Sequence, residues 1–212
     1  MTSEYRALIA KVEAFTDATF ARRRDDFTCS AGCAACCHAW LSVSPVEAEQ
    51  VRAGLAALPP EQRADVRQRG QRELARAANG EPTPRCAMLG DDDRCAIYEA
   101  RPLVCRTQGH ALRYPVGLIP SDAIARRTEK GDLTWCPLNY DAAEPNAEDV
   151  LDAERVDQIL AVVAARHAVA HGIDREARFE LSALAAEMDV LHDDTARHGH
   201  LDPSTPHRDT DD

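Results

Sequence analysis

Apolar residues recur at three- to five-residue steps near the start of the chain, at Tyr5, Leu8, Ile9, Val12, Phe15 and Phe20. That spacing predicts an amphipathic helix over about residues 4–23. A second helix opens at Ser44: the hydroxyl can cap it, Pro45 suits its first turn, and Glu47 stands three positions on, as in a capping box. Pro59-Pro60 ends it, and a third, strongly polar helix runs from there to a stop at Asn79-Gly80. From 81 to about 145 the periodicity breaks into short apolar pieces divided by Pro, Gly and Asp. Two pieces, 113–120 and 132–136, read as short strands, with a turn at 129–132 between Ile124 and Leu133. A helix over about 148–170 follows, with Val150, Leu151, Val156, Ile159, Leu160 and Val163 inward, then another over 175–191 after Gly172. The expected fold is mainly α: helices flanking an irregular cysteine-rich metal-binding core, with at most a short β-hairpin. One domain of residues 1–192 is expected, with its core at about 27–140 and a helical part at 146–192. Residues 193–212 hold six Asp against two Arg and almost nothing apolar, and read as a disordered acidic tail containing histidine.

Composition narrows the function. At 212 residues the chain is long enough to bury a core without covalent staples. A net charge of −11 argues against general nucleic-acid binding, which draws its affinity from Lys and Arg neutralising phosphates. The first residues lack the pattern of a secretory signal, and no segment approaches the roughly eighteen apolar residues of a membrane span. The expectation is a cytoplasmic protein without membrane association, where reducing conditions make a cysteine-dense segment metal-binding or catalytic before disulfide-bonded.

Eight cysteines carry the chemistry: Cys29, Cys33, Cys36, Cys37, Cys86, Cys95, Cys105 and Cys136. On one continuous helix the first four would share a stripe and act as small buried hydrophobes, but Ser30 and Gly32 weaken such a helix. Thiolates two or three residues apart can instead converge on one metal, since a tight turn aims both inward and its N–H groups offset their charge. Eight ligands make two four-thiolate sites, or one with spares; zinc and iron–sulfur chemistry, including a [4Fe–4S] cluster, both use four thiolates. Cys29, Cys33 and Cys36 also have the spacing of the radical S-adenosylmethionine signature, but Ala35 replaces its usual aromatic residue and the repeated βα units of that fold are absent.

Three stretches together resemble the YkgJ-type cysteine-cluster family, a zinc- or iron-chelating domain named for CxxCxxCC: Gly32 to Cys37, Arg94 to Arg106, and Cys136 to Asn139. This chain has one more residue between Cys29 and Cys33 than that name specifies. The resemblance implies metal chelation by the cysteines. It also implies a distant relation to flagellin lysine N-methylases, and so an alternative as an iron–sulfur enzyme or redox sensor using S-adenosylmethionine, although no glycine-rich fingerprint for that cofactor is present. The expected partner is a metal ion, with a protein partner for a structural-zinc module. A thiol oxidoreductase using free cysteines of low pKa is a third class.

Around the ligands, Arg101 and Arg106 can offset thiolate charge, Pro102 fixes a turn, and Ile97 and Tyr98 can shield the site, the Tyr hydroxyl reaching a partner. His38 and His110 can replace a cysteine or hydrogen-bond a sulfur. His167 and His171 share a helix face at i, i+4, a spacing metals use, but no Glu follows His167 as in zincins, so ordinary helix positions are expected. His192, His198, His200 and His207 enrich the tail.

Overall fold

The structure, a computed structural model, describes residues 2–81 and 84–187. Helix α1 (Ser3–Arg22) buries Tyr5, Leu8, Ile9 and Val12, as the periodicity predicts, and Thr2 caps it by accepting from the Tyr5 N–H. Helix α2 (Pro45–Ala56) starts with the predicted capping box of Ser44 and Glu47, and α3 (Pro60–Ala78) ends at Asn79. A short α4 (Leu103–Thr107) was not expected; α5 (Ala153–Ala170) and α6 (Leu181–Ala186) complete the helices of the described residues.

The β-structure exceeds the expected hairpin. Strands β1 (Ser42–Val43) and β6 (Phe179–Glu180) pair antiparallel. A second sheet contains β2 (Ala111–Tyr114), β3 (Arg126–Thr128), β4 (Gly131–Thr134) and β5 (Val150–Asp152) in the order β3-β4-β2-β5. The β3–β4 hairpin turns where the sequence predicts, but β5 pairs parallel with β2, aligning Ala111 with Val150. Val150 and Leu151 are therefore strand residues and not the first inward turn of a helix. Asp152 begins α5 by accepting from the Arg155 N–H. Strands of two to four residues carry too few alternations to declare themselves, and a distant parallel partner leaves no local signal. The helix predicted over 175–191 contains β6 and α6 instead, and both its end past Glu187 and the predicted disordered tail lie outside the described residues.

Three apolar clusters hold these elements. Val43, Val51, Leu55, Val66, Met88, Ile97, Leu181 and Leu184 form one, against which Cys86 and Cys95 pack. Gly70 lets α3 meet α6 closely, since a Cβ there would lie 2.8 Å from Ala185 Cβ and from the Ser182 carbonyl. A second cluster joins Tyr5, Leu8, Ile9 and Val12 of α1 to Val46, Leu103, Val163 and Ala164. The third is aromatic: Phe27 lies 5.3 Å from Phe20, 5.0 Å from His110 and 5.2 Å from Tyr140 between ring centroids, and Cys29 packs at its edge. The cysteine-bearing loops thus rest on the first and third clusters. Among the described residues no helix is long and apolar enough to cross a membrane.

Candidate metal centre

No two of the eight cysteines are joined in a disulfide. Cys29 to Cys37 do not form one helix: Gly32 has φ +91°, and only Ala35–Cys37 makes a single 3-10 turn. Cys33 and Cys36 are exposed, so they are not small core hydrophobes; the other six are half-buried.

The loop from Cys86 to Ile97 folds back on itself. The Gly90 N–H donates to the Arg94 carbonyl at 2.8 Å, the Ala96 N–H to Met88 at 2.8 Å, and Leu89 bridges Cys95. Asp93 takes the left-handed conformation at φ 58°, which a short polar side chain tolerates, and Asp92 Oδ1 accepts from the Arg94 N–H at 3.2 Å. This turn brings Cys86 and Cys95 alongside one another. The N–H groups of Met88 and Leu89 donate to the Cys86 sulfur and that of Ile97 to the Cys95 sulfur. The Cys86 N–H donates to the Cys37 carbonyl at 2.9 Å, which ties in the double cysteine.

Cys105 arrives on α4, and Glu47 sets that helix in place. Its buried carboxylate accepts from the Ser44 N–H at 3.0 Å, the Ser44 hydroxyl at 2.8 Å and the Leu103 N–H at 3.1 Å. The residue that caps α2 also caps α4. Gly54 allows α2 to approach the 97–100 turn, where a Cβ would come 2.3 Å from Ala100 Cβ.

The thiols of this region act on one another. Cys105 is pushed up to about 12, first by burial, then by charge on Cys86, Cys95 and Cys36, with Arg101 opposing. Cys86 and Cys95 are also raised, chiefly by burial. Cys37 is lowered, primarily by a hydrogen bond from Cys36, against burial and the charges of Cys86, Cys105 and Cys95. Cys36 is correspondingly raised, first by that bond. Cys37, Cys86, Cys95 and Cys105 therefore form one electrostatic neighbourhood, beside which Arg101 and, at Cys86, Arg69 are the favourable cations.

The second neighbourhood surrounds Cys29. Burial raises its thiol, Asn139 opposes the shift, and Cys33, Cys136 and Cys36 add to it. Asn139 is fully buried and organises the group: its Nδ2 donates to the Cys29 sulfur at 3.3 Å and to the Gly109 carbonyl at 2.9 Å. Its Oδ1 accepts from the Thr28 N–H at 3.0 Å, and its own N–H donates to the Cys136 carbonyl at 2.9 Å. Gly109, at φ +91°, passes so close that a Cβ would lie 3.0 Å from the Cys29 sulfur. Cys36 acts on Cys29 and on Cys105 and so borders both neighbourhoods.

Other expectations divide. Ile97 is buried as a shield, but Tyr98 is 57% exposed and stacks beneath the Arg101 guanidinium at 3.7 Å. Arg106 offsets no thiolate: it is buried, pairs with Glu13, and donates to the carbonyls of Arg101 at 2.9 Å and Glu99 at 2.6 Å. Its position one residue after Cys105 turns it about 100° around α4, onto a different face. His38 is exposed. His110 packs on Phe27, and burial brings its pKa down to about 4, with Asp17 opposing. His167 is buried and meets both His171 and Glu49, a cluster that residue spacing could not reveal because Glu49 lies on α2. Asn139 and Glu47 were also unassigned as site organisers; the Asn after "CPL" and the capping box were their signals.

The donor set suits a thiophilic metal: eight sulfurs in two neighbourhoods, amide donors to three of them, and two adjacent guanidinium groups, Arg101 and Arg69. Their spacing adds a constraint. Among the described residues no three cysteine sulfurs lie mutually within 4.8 Å. A cavity of about 910 Å³ between α2, α4 and α5 is lined by Trp40, Glu47, Val104 and Asp157 but by none of the cysteines. No curated protein and no solved structure matches the chain. The family model described as "Putative zinc- or iron-chelating domain" matches residues 28–137, beginning one residue before Cys29 and ending one after Cys136. With more than half its length and all eight cysteines inside that match, the chain belongs to the CxxCxxCC family.

Proposed function

We propose that the protein chelates zinc or iron through two groups of thiolates, Cys37, Cys86, Cys95 and Cys105 in one, and Cys29, Cys33, Cys36 and Cys136 in the other. The observation that carries this reading is geometric: the closed turn from Cys86 to Cys95 bonds to Cys37 in one group, and Asn139 ties Cys29 to Cys136 in the other. Thiols that raise one another's pKa become ligands when a cation supplies the missing positive charge. Cys36 goes with Cys29 because adjacent cysteines face different ways and Cys37 already completes the other four. The amides that donate to Cys86 and Cys95 lower thiolate charge there, as does Arg101.

The same thiolates allow a second form of this reading. A single tetrahedral zinc needs its sulfurs about 3.8 Å apart, so these would have to move inward, whereas a polynuclear iron–sulfur core holds its thiolates farther apart. A substrate role has less support, because the large cavity is separate from the cysteines.

Metal and acid-labile sulfide analysis, with an absorption spectrum, on untagged protein prepared anaerobically tests both forms. About two zinc ions per chain without sulfide supports mononuclear sites; iron with matching sulfide and visible absorption that bleaches with dithionite supports clusters. Protein that contains neither, and takes up neither zinc nor iron(II) with sulfide, overturns the proposal.

A further inference from the structure

The one group of three metal-ligating side chains whose donor atoms lie within 4.8 Å of one another among the described residues contains no cysteine. It is Glu49, His167 and His171. His167 and His171 sit one turn apart at the end of α5, with ring centroids 4.1 Å apart, and Glu49 reaches them from α2. The His171 Nδ1 lies 2.8 Å from the His167 carbonyl. With the proton on Nδ1, that bond fixes the tautomer and leaves Nε2 with a free lone pair, the arrangement in which proteins hold metal-binding histidines.

His167 supplies the second observation. It is only 4% exposed, and its Nδ1 is buried without a hydrogen-bond partner. Its Nε2 is 3.4 Å from Glu49 Oε2, longer than an ordinary N–H···O bond. Roughly 3.3–3.4 Å is, however, the edge of a tetrahedron whose bonds are 2.0–2.1 Å, the zinc distances for imidazole and carboxylate. Nε2, and not the buried Nδ1, is the atom that faces Glu49 and would be the ligand.

We propose that Glu49, His167 and His171 form a separate site for a divalent transition ion of intermediate softness, such as zinc(II), with an open coordination position toward solvent. Two imidazoles and a carboxylate suit zinc, cobalt, nickel or copper(II) and not the soft centres that select thiolates. The exposed His171 and the 42% exposed Glu49 side chain give an ion its route in.

Cobalt(II) titration of the untagged, full-length holoprotein tests this. The wild type is expected to take up one equivalent beyond its thiolate-bound metal, with ligand-field bands in the visible and no sulfur-to-cobalt charge transfer. His171→Ala and Glu49→Gln, both at accessible side chains, should each weaken that equivalent at least about tenfold, leaving circular dichroism and thiolate-bound metal unchanged. Zinc(II) should displace the cobalt. The proposal is overturned if no further equivalent binds, if its spectrum shows sulfur ligation, if it survives both substitutions, or if it disappears only when His192, His198, His200 and His207 are replaced.

Discussion

The two thiol neighbourhoods are built differently. Around Cys86, Cys95 and Cys105 the scaffold is dense: a closed turn, amides donating to sulfur, a buried carboxylate fixing α4, and Arg101 for charge. Around Cys29 the thiols come from the 29–36 segment, where Cys33 and Cys36 are exposed, and from Cys136, and Asn139 bonds both Cys29 and the Cys136 carbonyl. The first arrangement is preorganised by local structure, and the second depends on long-range contacts between chain segments. Preorganisation lowers the cost of gathering like charges, so a metal held by the first group should be retained more tightly and contribute more to folding.

The largest expected effect comes from breaking each group in turn. Cys105→Ser should remove the metal of its own group and lower the melting temperature by about 10 °C or more, equivalent to roughly 3 kcal/mol or more at this chain length. Cys33→Ser, at an exposed position, should lose metal with helical circular dichroism largely retained. Equal destabilisation by the two would erase the contrast.

Gly109→Ala probes the second group from its backbone. The position has φ +91° and the new methyl would press on Cys29 and Asn139, so a cost of about 2–3 kcal/mol is expected in chemical denaturation. Metal should be lost from the Cys29 group, with that of the Cys105 group kept.

Acid should loosen the same region first. Burial holds His110 neutral down to about pH 4, with Asp17 the charge acting on it, while in the unfolded chain it takes up a proton near pH 6.5. Between those values the unfolded state binds more protons, so stability falls as pH drops and levels off below about 4. The contribution is at most about 3 kcal/mol, and His110→Phe, which keeps an aromatic ring beside Phe27, should flatten this part of the pH profile. An unchanged profile would place the acid-sensitive groups elsewhere.

Arg101→Gln is the smallest perturbation. It removes the cation beside Cys95 and Cys105 of the first group and beside Cys36 of the second, and should weaken metal binding in the first group about tenfold, as measured by chelator competition, with a smaller loss from the Cys29 group. A uniform loss from both groups would mean that Arg101 acts through the fold.

The helices were largely legible in the sequence because their signals are local: the spacing of Tyr5, Leu8, Ile9 and Val12, and the Ser44–Glu47 box. The cysteines marked the site for the same reason. Their grouping was not legible, since it depends on α4, on the turn after Gly90 and on Asn139 reaching Cys29, none of which has a periodic signature. Likewise β5 reads as helix because Val150 and Leu151 adjoin a true amphipathic stretch; its parallel pairing with β2 exists only in three dimensions. Arg106 shows the converse error: adjacency to Cys105 suggested a charge partner, but one step along a helix changes the face.

The division of the thiolates into two independent groups is tested most directly by metal analysis of Cys33→Ser/Cys136→Ser beside the wild type, both prepared anaerobically. The expected result is loss of about half the thiolate-bound metal, with the remainder still sulfur-ligated and helical circular dichroism retained. Complete loss of metal with the fold intact, or no loss at all, would contradict it.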